Sequence, residues 1–162
     1  VYDGTRWQRC WVHKTANVLN SLPKSLQAQA KSKLHQIWQA AGKDEAQRHF
    51  DDFMKTYEAK YPKAVQCLEK DHDALFTFYD FPAEHWRHIR TSNPIESTFA
   101  TVRLRTHKVR GCFSASTVLS MAFKLCQCAQ KRWIRLHRPE RLADVVKGVK
   151  FVNGIEEKRI AA

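Results

Sequence analysis

Turn-forming residues are scarce: 162 residues hold five glycines and five prolines. So few breakers argue against a chain of many short strands and for a helical one. Cysteine is sparse and odd in number, at Cys10, Cys67, Cys112, Cys126 and Cys128. No Cys-x-x-Cys pair occurs, and Cys126 and Cys128, two apart in a helical pattern, face different directions. That excludes a secreted disulfide scaffold; the expected state is reduced and intracellular. No membrane-length apolar run appears. The longest stretch of the C-terminal half without Asp, Glu, Lys or Arg is Gly111 to Phe123, short of the roughly 20 residues a membrane helix needs. No apolar leader opens the chain, which starts at Val1 rather than Met, and an N-terminal part is expected to be missing.

Acidic residues are the other deficit. Lys and Arg number 28 against 16 Asp and Glu, a formal net charge of +12. Residues 1–80 are close to balanced, at +2, and residues 81–162 carry +10. Between Arg87 and Arg110 stand Arg87, Arg90, Arg103, Arg105, Lys108 and Arg110, with Glu96 the single acid. Arginine's planar fork suits phosphate, so these six are the candidate DNA-binding residues, against the alternative of a solvated basic face. With 43% hydrophobic residues the chain can still build a packed core.

Apolar periodicity predicts mostly α structure. Leu26, Ala30, Leu34, Ile37, Trp38 and Ala41 form one helical face, stopped by Gly42. Ala46, Phe50, Phe53, Met54 and Tyr57 form a second. A third opens at Pro62, runs through Val65, Leu68, Leu75, Phe76 and Tyr79, and ends at Pro82. Together these predict a small bundle with an aromatic core. A fourth helix is expected from Asn93 as N-cap, with Pro94 first, Glu96 third, and Ile95, Phe99 and Val102 as its stripe. Gly111 breaks the chain, Ser116 caps a long helix through Val118, Met121, Leu125, Ala129 and Trp133, and Pro139 starts a shorter one through Leu142 and Val146. Only Gln8–Val12 and Lys150–Val152 suggest extended chain. Trp7, Trp11, Trp38 and Trp133 are expected in the core, and Trp86 is assigned to packing rather than base stacking.

Glu96 admits two readings. Asn93-x-x-Glu96 has the spacing of a capping box, and a carboxylate at a helix start among basic residues can also hold a divalent cation near phosphates. One carboxylate makes no site alone. Cys10 and His13 have a zinc-like spacing, yet no second pair matches it, so no zinc is expected. His35 and His49 read as surface or core histidines, and His85 and His88 flank Trp86 with no nucleophile or triad around them.

Several motifs go together. Gln8-Arg9-Cys10-Trp11-Val12-His13-Lys14, Asn17-Val18-Leu19, Leu22-Pro23-Lys24, Tyr79-Asp80-Phe81-Pro82-Ala83-Glu84-His85-Trp86 and, most strongly, the run from Arg90 through Asn93-Pro94-Ile95-Glu96 to Thr106 resemble the Mutator-type transposases of bacterial insertion sequences. The resemblance spans about Arg6 to Val152. It implies a ribonuclease-H-like core using two aspartates and one glutamate, with a helical insertion before the glutamate. Glu96 maps onto that glutamate, a catalytic residue and a ligand for Mg (or Mn) in the complete enzyme; Cys10, His13 and Asn93 are family-motif positions. Both aspartates and most of the sheet are then expected upstream of Val1, and Asp3 is rejected as the second aspartate.

The implied division is 1–23 as the end of a core segment with the Cys-x-x-His motif, 24–82 as the helical insertion, 83–152 as C-terminal core helices, and 153–162 as a tail. The implied function is metal-dependent DNA cleavage and strand transfer in DNA recombination. The implied partners are terminal inverted repeats and target DNA, with a homo-oligomer when complete, no membrane, and a cytoplasmic, nucleoid-associated location. This chain alone is expected to be inactive. The competing readings are a non-enzymatic basic helical DNA-binding module and a protein–protein module using the insertion.

Overall fold

The computed structural model describes residues 5–108 and 114–157, with the backbone alone of Asn93 and Pro94. Arg110, Gly111 and Asp3, three positions singled out above, lie outside the described residues, as does the end of the tail. The chain falls into two units, one of residues up to Thr91 together with those from His137, the other Ser92–Leu136. The expectation of a mostly α protein holds.

The first unit is built on α1 (Trp11–Leu19), α2 (Lys24–Gln39), α3 (Lys43–Tyr57), α4 (Pro62–Glu69) and α5 (His72–Phe76). The expected apolar faces are its core: Ala30, Leu34 and Ile37 of α2, Ala46, Phe50, Phe53 and Tyr57 of α3, and Val65 and Leu68 of α4 are all buried. Acidic Asp44 and Glu45 open α3 and Lys55 closes it, the order its dipole favours. Pro62 sits in the first turn of α4, where its missing N–H costs nothing.

Three expectations need correction here. The segment 11–12 is helical, not extended: α1 buries Trp11, Lys14, Thr15 and Val18, and a lysine on the buried face conceals the period. The single helix expected from Pro62 to Pro82 is instead α4, α5 and a 3₁₀ turn at Thr77–Asp80. It breaks at Asp71 (φ −115°, ψ 19°), whose carboxylate meets the buried Lys14 ammonium at 2.6 Å and the Arg9 side chain at 3.3 Å. Of the tryptophans, Trp11 is buried, but Trp7 is 72% exposed, since it precedes the first element and gives the packing only its carbonyl, to Thr77 Oγ1.

A second 3₁₀ turn (Ala83–His85) and α6 (Trp86–Ile89) follow. Trp86 packs, as expected: its ring stands edge-on to Phe78 and Tyr79, and its N–H donates to the Phe81 carbonyl at 2.9 Å. After the second unit the chain returns as α9 (Arg141–Val146) and an antiparallel pair, β1 (Phe151–Val152) and β2 (Ile155–Glu156). The turn is Asn153-Gly154, both with positive φ, the pattern a two-residue hairpin requires. Asn153 Oδ1 accepts from the Lys43 N–H at 2.8 Å and caps α3 from across the unit.

The second unit is a helical hairpin of α7 (Asn93–Lys108) and α8 (Ala115–Gln130). The two helices pack on each other, and Val118, Met121, Leu125 and Ala129 of α8 are half-buried. The cap of α8 is Ser114, not Ser116: its Oγ accepts from the Thr117 N–H at 3.2 Å. Trp133 lies past the helix end and is 54% exposed. Ile95 and Phe99 are also exposed, because two helices alone cannot cover both sides of either one.

Candidate nucleic-acid interface and the carboxylate of α7

The start of α7 is set by Ser92. Its carbonyl accepts from the N–H groups of Ile95 and Glu96, both at 3.1 Å, and its hydroxyl donates to Glu96 Oε1 at 2.5 Å. The frame is therefore one residue earlier than expected: Ser92 takes the cap position, Asn93 opens the helix, and Pro94 falls within a first turn that needs no N–H from it. At the helix start, Ser92 thus orients the Glu96 carboxylate.

Seven residues separate Glu96 from Arg103, which puts them on one face of α7 about 10 Å apart along the axis. Arg105 and Lys108 point to the other side. Glu96, Arg103, Arg105 and Lys108 are all exposed. The unit's charge is one-sided beyond the residues picked from sequence: Arg103, Arg105, Lys108, Arg110, Lys124, Lys131, Arg132 and Arg135 stand against Glu96 alone. Lys124, Lys131, Arg132 and Arg135 were missed. Their signal was available, since no Asp or Glu occurs from Ser97 to Pro139.

The other predicted positions belong to the first unit. Arg87 is exposed, and among the described residues no carboxylate pairs with it. Arg90 is half-buried: its guanidinium lies 4.6 Å from the centre of the Trp38 ring and donates to the Trp38 carbonyl at 3.0 Å. Burial lowers its pKa, the Tyr79 hydroxyl raising it in part. Cys10 precedes α1 and its Sγ contacts Thr91 Oγ1 at 3.7 Å, while the Trp11 N–H donates to the Arg90 carbonyl at 3.0 Å. So the structure brings the Cys-x-x-His motif against the Arg90-Thr91 segment. His13 is exposed on α1.

The rest of the Gln8–Lys14 motif is a joint. Gln8 Nε2 donates to the Leu75 carbonyl and Gln8 Oε1 accepts from the Phe78 N–H. The Arg9 N–H donates to the Ala74 carbonyl at 2.8 Å, and the Trp11 indole N–H to the Leu75 carbonyl at 2.9 Å. Lys14 Nζ reaches the Cys67 carbonyl and the Asp71 carboxylate, both at 2.6 Å. The hydrogen bond from Lys14 outweighs burial and holds the Asp71 carboxyl below its ordinary pKa.

His85 and His88 are structural as well. Buried His85 donates from Nε2 to the Arg138 carbonyl at 3.2 Å, and His88 Nε2 accepts from the His137 N–H at 3.3 Å. Burial first, then the charges of Arg87 and the neighbouring histidines, lower the His88 pKa, which favours the neutral ring that this acceptor role needs.

The donor chemistry suits a hard divalent cation in one respect only. Glu96 offers carboxylate oxygens, but among the described residues no three His, Cys, Asp or Glu side chains gather to hold a metal ion. The chain fits such an ion as the source of one ligand. No helix of the described residues is long and apolar enough to cross a membrane.

The family model described as "Transposase, Mutator family" matches residues 1–135. The chain is 56% identical over 155 residues to the transposase for insertion sequence element IST2 of Acidithiobacillus ferrooxidans, covering 96% of this chain and 52% of that protein. It is 47% identical over 154 residues to the transposase for insertion sequence element IS6120 of Mycolicibacterium smegmatis, covering 95% and 48%. The chain spans about half the length of these curated relatives.

Proposed function

The chain belongs to the Mutator family of transposases, and on that premise we propose that it is the C-terminal part of an enzyme that moves an insertion sequence by cutting and rejoining DNA. The observation that carries the reading is Glu96: the one acid of a strongly basic helical hairpin, at a helix start, its carboxylate held by Ser92.

In this reading Glu96 is the third carboxylate of a set whose two aspartates come from outside this chain, on a ribonuclease-H-like sheet. It would give one oxygen to Mg²⁺ or Mn²⁺. The ion, when bound, supplies activation of the attacking oxygen and stabilisation of the leaving one in an in-line displacement at phosphorus. Ser92 fixes the carboxylate's rotamer. Arg103, on the same face, and Arg87, Arg105, Lys108 and Arg110 neutralise phosphates of the element's ends and the target, which positions DNA without reading its sequence. Residues 24–82 act as the helical insertion. The complete enzyme works on DNA in the bacterial cytoplasm as a homo-oligomer, and this chain alone does not cut.

The test uses a complete transposase carrying this sequence. Glu96→Gln keeps a side chain that Ser92 can still hydrogen-bond but removes the charge, so strand cleavage should be lost while thermal stability barely changes. Ser92→Ala should weaken cleavage only in part. Near-normal cleavage by Glu96→Gln would overturn the assignment.

A further inference from the structure

An open cleft of about 350 Å³ lies within the first unit, lined by Ala83, Glu84, Trp86, Arg87, Arg90 and His137. Its walls come from segments some fifty residues apart, and the two histidine bonds hold them together: His88 takes the N–H of His137, and His85 donates to the carbonyl of Arg138. Arg138 has φ 51°, a left-handed conformation that residues with a Cβ disfavour. The chain is thus bent against its preference at the point that delivers His137 beside Arg87.

Two guanidiniums and an imidazole oppose one carboxylate there. Arg90 is fixed by Trp38 and contributes a preorganised positive charge. Arg87 is exposed and pairs with no carboxylate among the described residues, so its fork is available to an oxyanion. The half-buried Trp86 gives an apolar floor. The cleft is open, whereas sites for free small molecules bury most of their ligand. An open cationic notch with an apolar floor suits one unit of a continuous strand, its phosphate on the cations and its sugar against the ring.

We propose that this cleft seats one backbone phosphate of a DNA strand, gripped by Arg87 and His137. The proposal rests on the reading of the chain as a DNA-processing protein. His137 is a contact that neither charge nor motif had singled out, and His85 and His88 are positioning residues for it.

The test is fluorescence anisotropy of a labelled 20-base-pair duplex of arbitrary sequence titrated with the whole chain across a salt series. Arg87→Ala should weaken binding roughly tenfold and reduce the log–log salt slope by about 0.9, the value of one duplex phosphate. His137→Ala should weaken it severalfold. Lys55→Ala, an exposed cation of α3, should change neither by a comparable amount, and circular dichroism should confirm each variant's fold. Losses in Arg87→Ala and His137→Ala no larger than in Lys55→Ala would overturn the seat. So would tighter binding of inorganic phosphate than of duplex, with the same dependence on Arg87, which would make it a free-anion site. If the unaltered chain binds no duplex at all, the seat and the DNA-processing reading it rests on are both overturned, whereas the preceding outcomes overturn the seat alone.

Discussion

The buried Lys14 gives the sharpest test of how the first unit holds together. Its side chain is 1% exposed, and its ammonium sits 2.6 Å from both the Asp71 carboxylate and the Cys67 carbonyl. Lys14→Met keeps the stem's volume and removes the charge. Asp71 is then left with Arg9 at 3.3 Å and a side chain only 23% exposed, and the Cys67 carbonyl loses its donor. Removing one partner of a buried ion pair costs about 3–5 kcal/mol. Arg9 and the partial exposure of Asp71 place this case near the lower end, about 3 kcal/mol. Urea denaturation followed by circular dichroism reads that loss, and a cost below about 1 kcal/mol would refute the reasoning.

The same pair predicts a pH signature. The Asp71 carboxyl is held below its unfolded pKa, chiefly by the Lys14 hydrogen bond. Between the two pKa values the unfolded chain binds the extra proton, so stability rises with pH there. The contribution is fully present above the ordinary aspartate value of about 3.9 and is lost as pH falls through the lower folded value. Lys14→Met should therefore flatten the acid limb of the stability profile below about pH 4. An unchanged limb would mean that Asp71 owes its charge to Arg9 rather than to Lys14.

Gly154→Ala should destabilise the first unit by about 2–4 kcal/mol, as a positive φ and close packing combine: φ is +78° and a Cβ would meet Ala83 Cβ at 2.5 Å and its backbone at 2.8 Å. A loss under about 1 kcal/mol in urea would show that the hairpin tip can move away. Reversing Arg103 and Arg105 to Glu should flatten the salt dependence of duplex binding, by roughly 0.9 in log–log slope for each phosphate no longer neutralised; an unchanged slope would leave that helix merely solvated. Treatment with a strong chelator should leave the melting curve unchanged, since Cys10 and His13 are not expected to hold zinc; unfolding on zinc removal would reverse that expectation.

Much of the bundle was legible because its helices bury one regular stripe: Leu34 and Ile37, or Phe50, Phe53 and Tyr57, repeat at the helical period and are buried. Legibility failed where a polar group did the packing. Lys14 on the inner face of α1 hid a helix, and Asp71, turned toward Lys14, broke another that the apolar period alone would have continued. The extended chain expected at Lys150–Val152 is β1, but its partner strand and the Asn153-Gly154 turn were missed despite a strong dipeptide signal, because each strand is two residues long. On α7 the expectation erred by one residue, since Ser92 and Asn93 are both good caps and only the hydrogen bonds choose between them. Trp133 misled for another reason: aromatic character predicts burial only where a layer exists to bury it, and the described part of the second unit has one pair of helices.

The motifs that identify the family divide by physical role, and the division is not the one their residue types suggest. Cysteine, histidine and lysine in Gln8–Lys14 look like chemistry, yet Gln8, Arg9, Trp11 and Lys14 stitch the start of the chain to residues 67–78, and Cys10 abuts Thr91. His85 and His88 look like a proton-transfer pair, yet each spends a ring nitrogen on the backbone at 137–138. Both sets lie where distant segments of chain cross, and such crossings leave backbone N–H and C=O groups that helices and sheets do not satisfy. A side chain must serve them, so its identity is as constrained as that of a catalytic group. Glu96 and Arg87 differ in being exposed while carrying charge, and exposed charge held on a rigid element is what a phosphodiester substrate can use. Motif strength therefore locates the crossings of this fold, and exposure separates the residues proposed to meet DNA from those that hold the crossings shut.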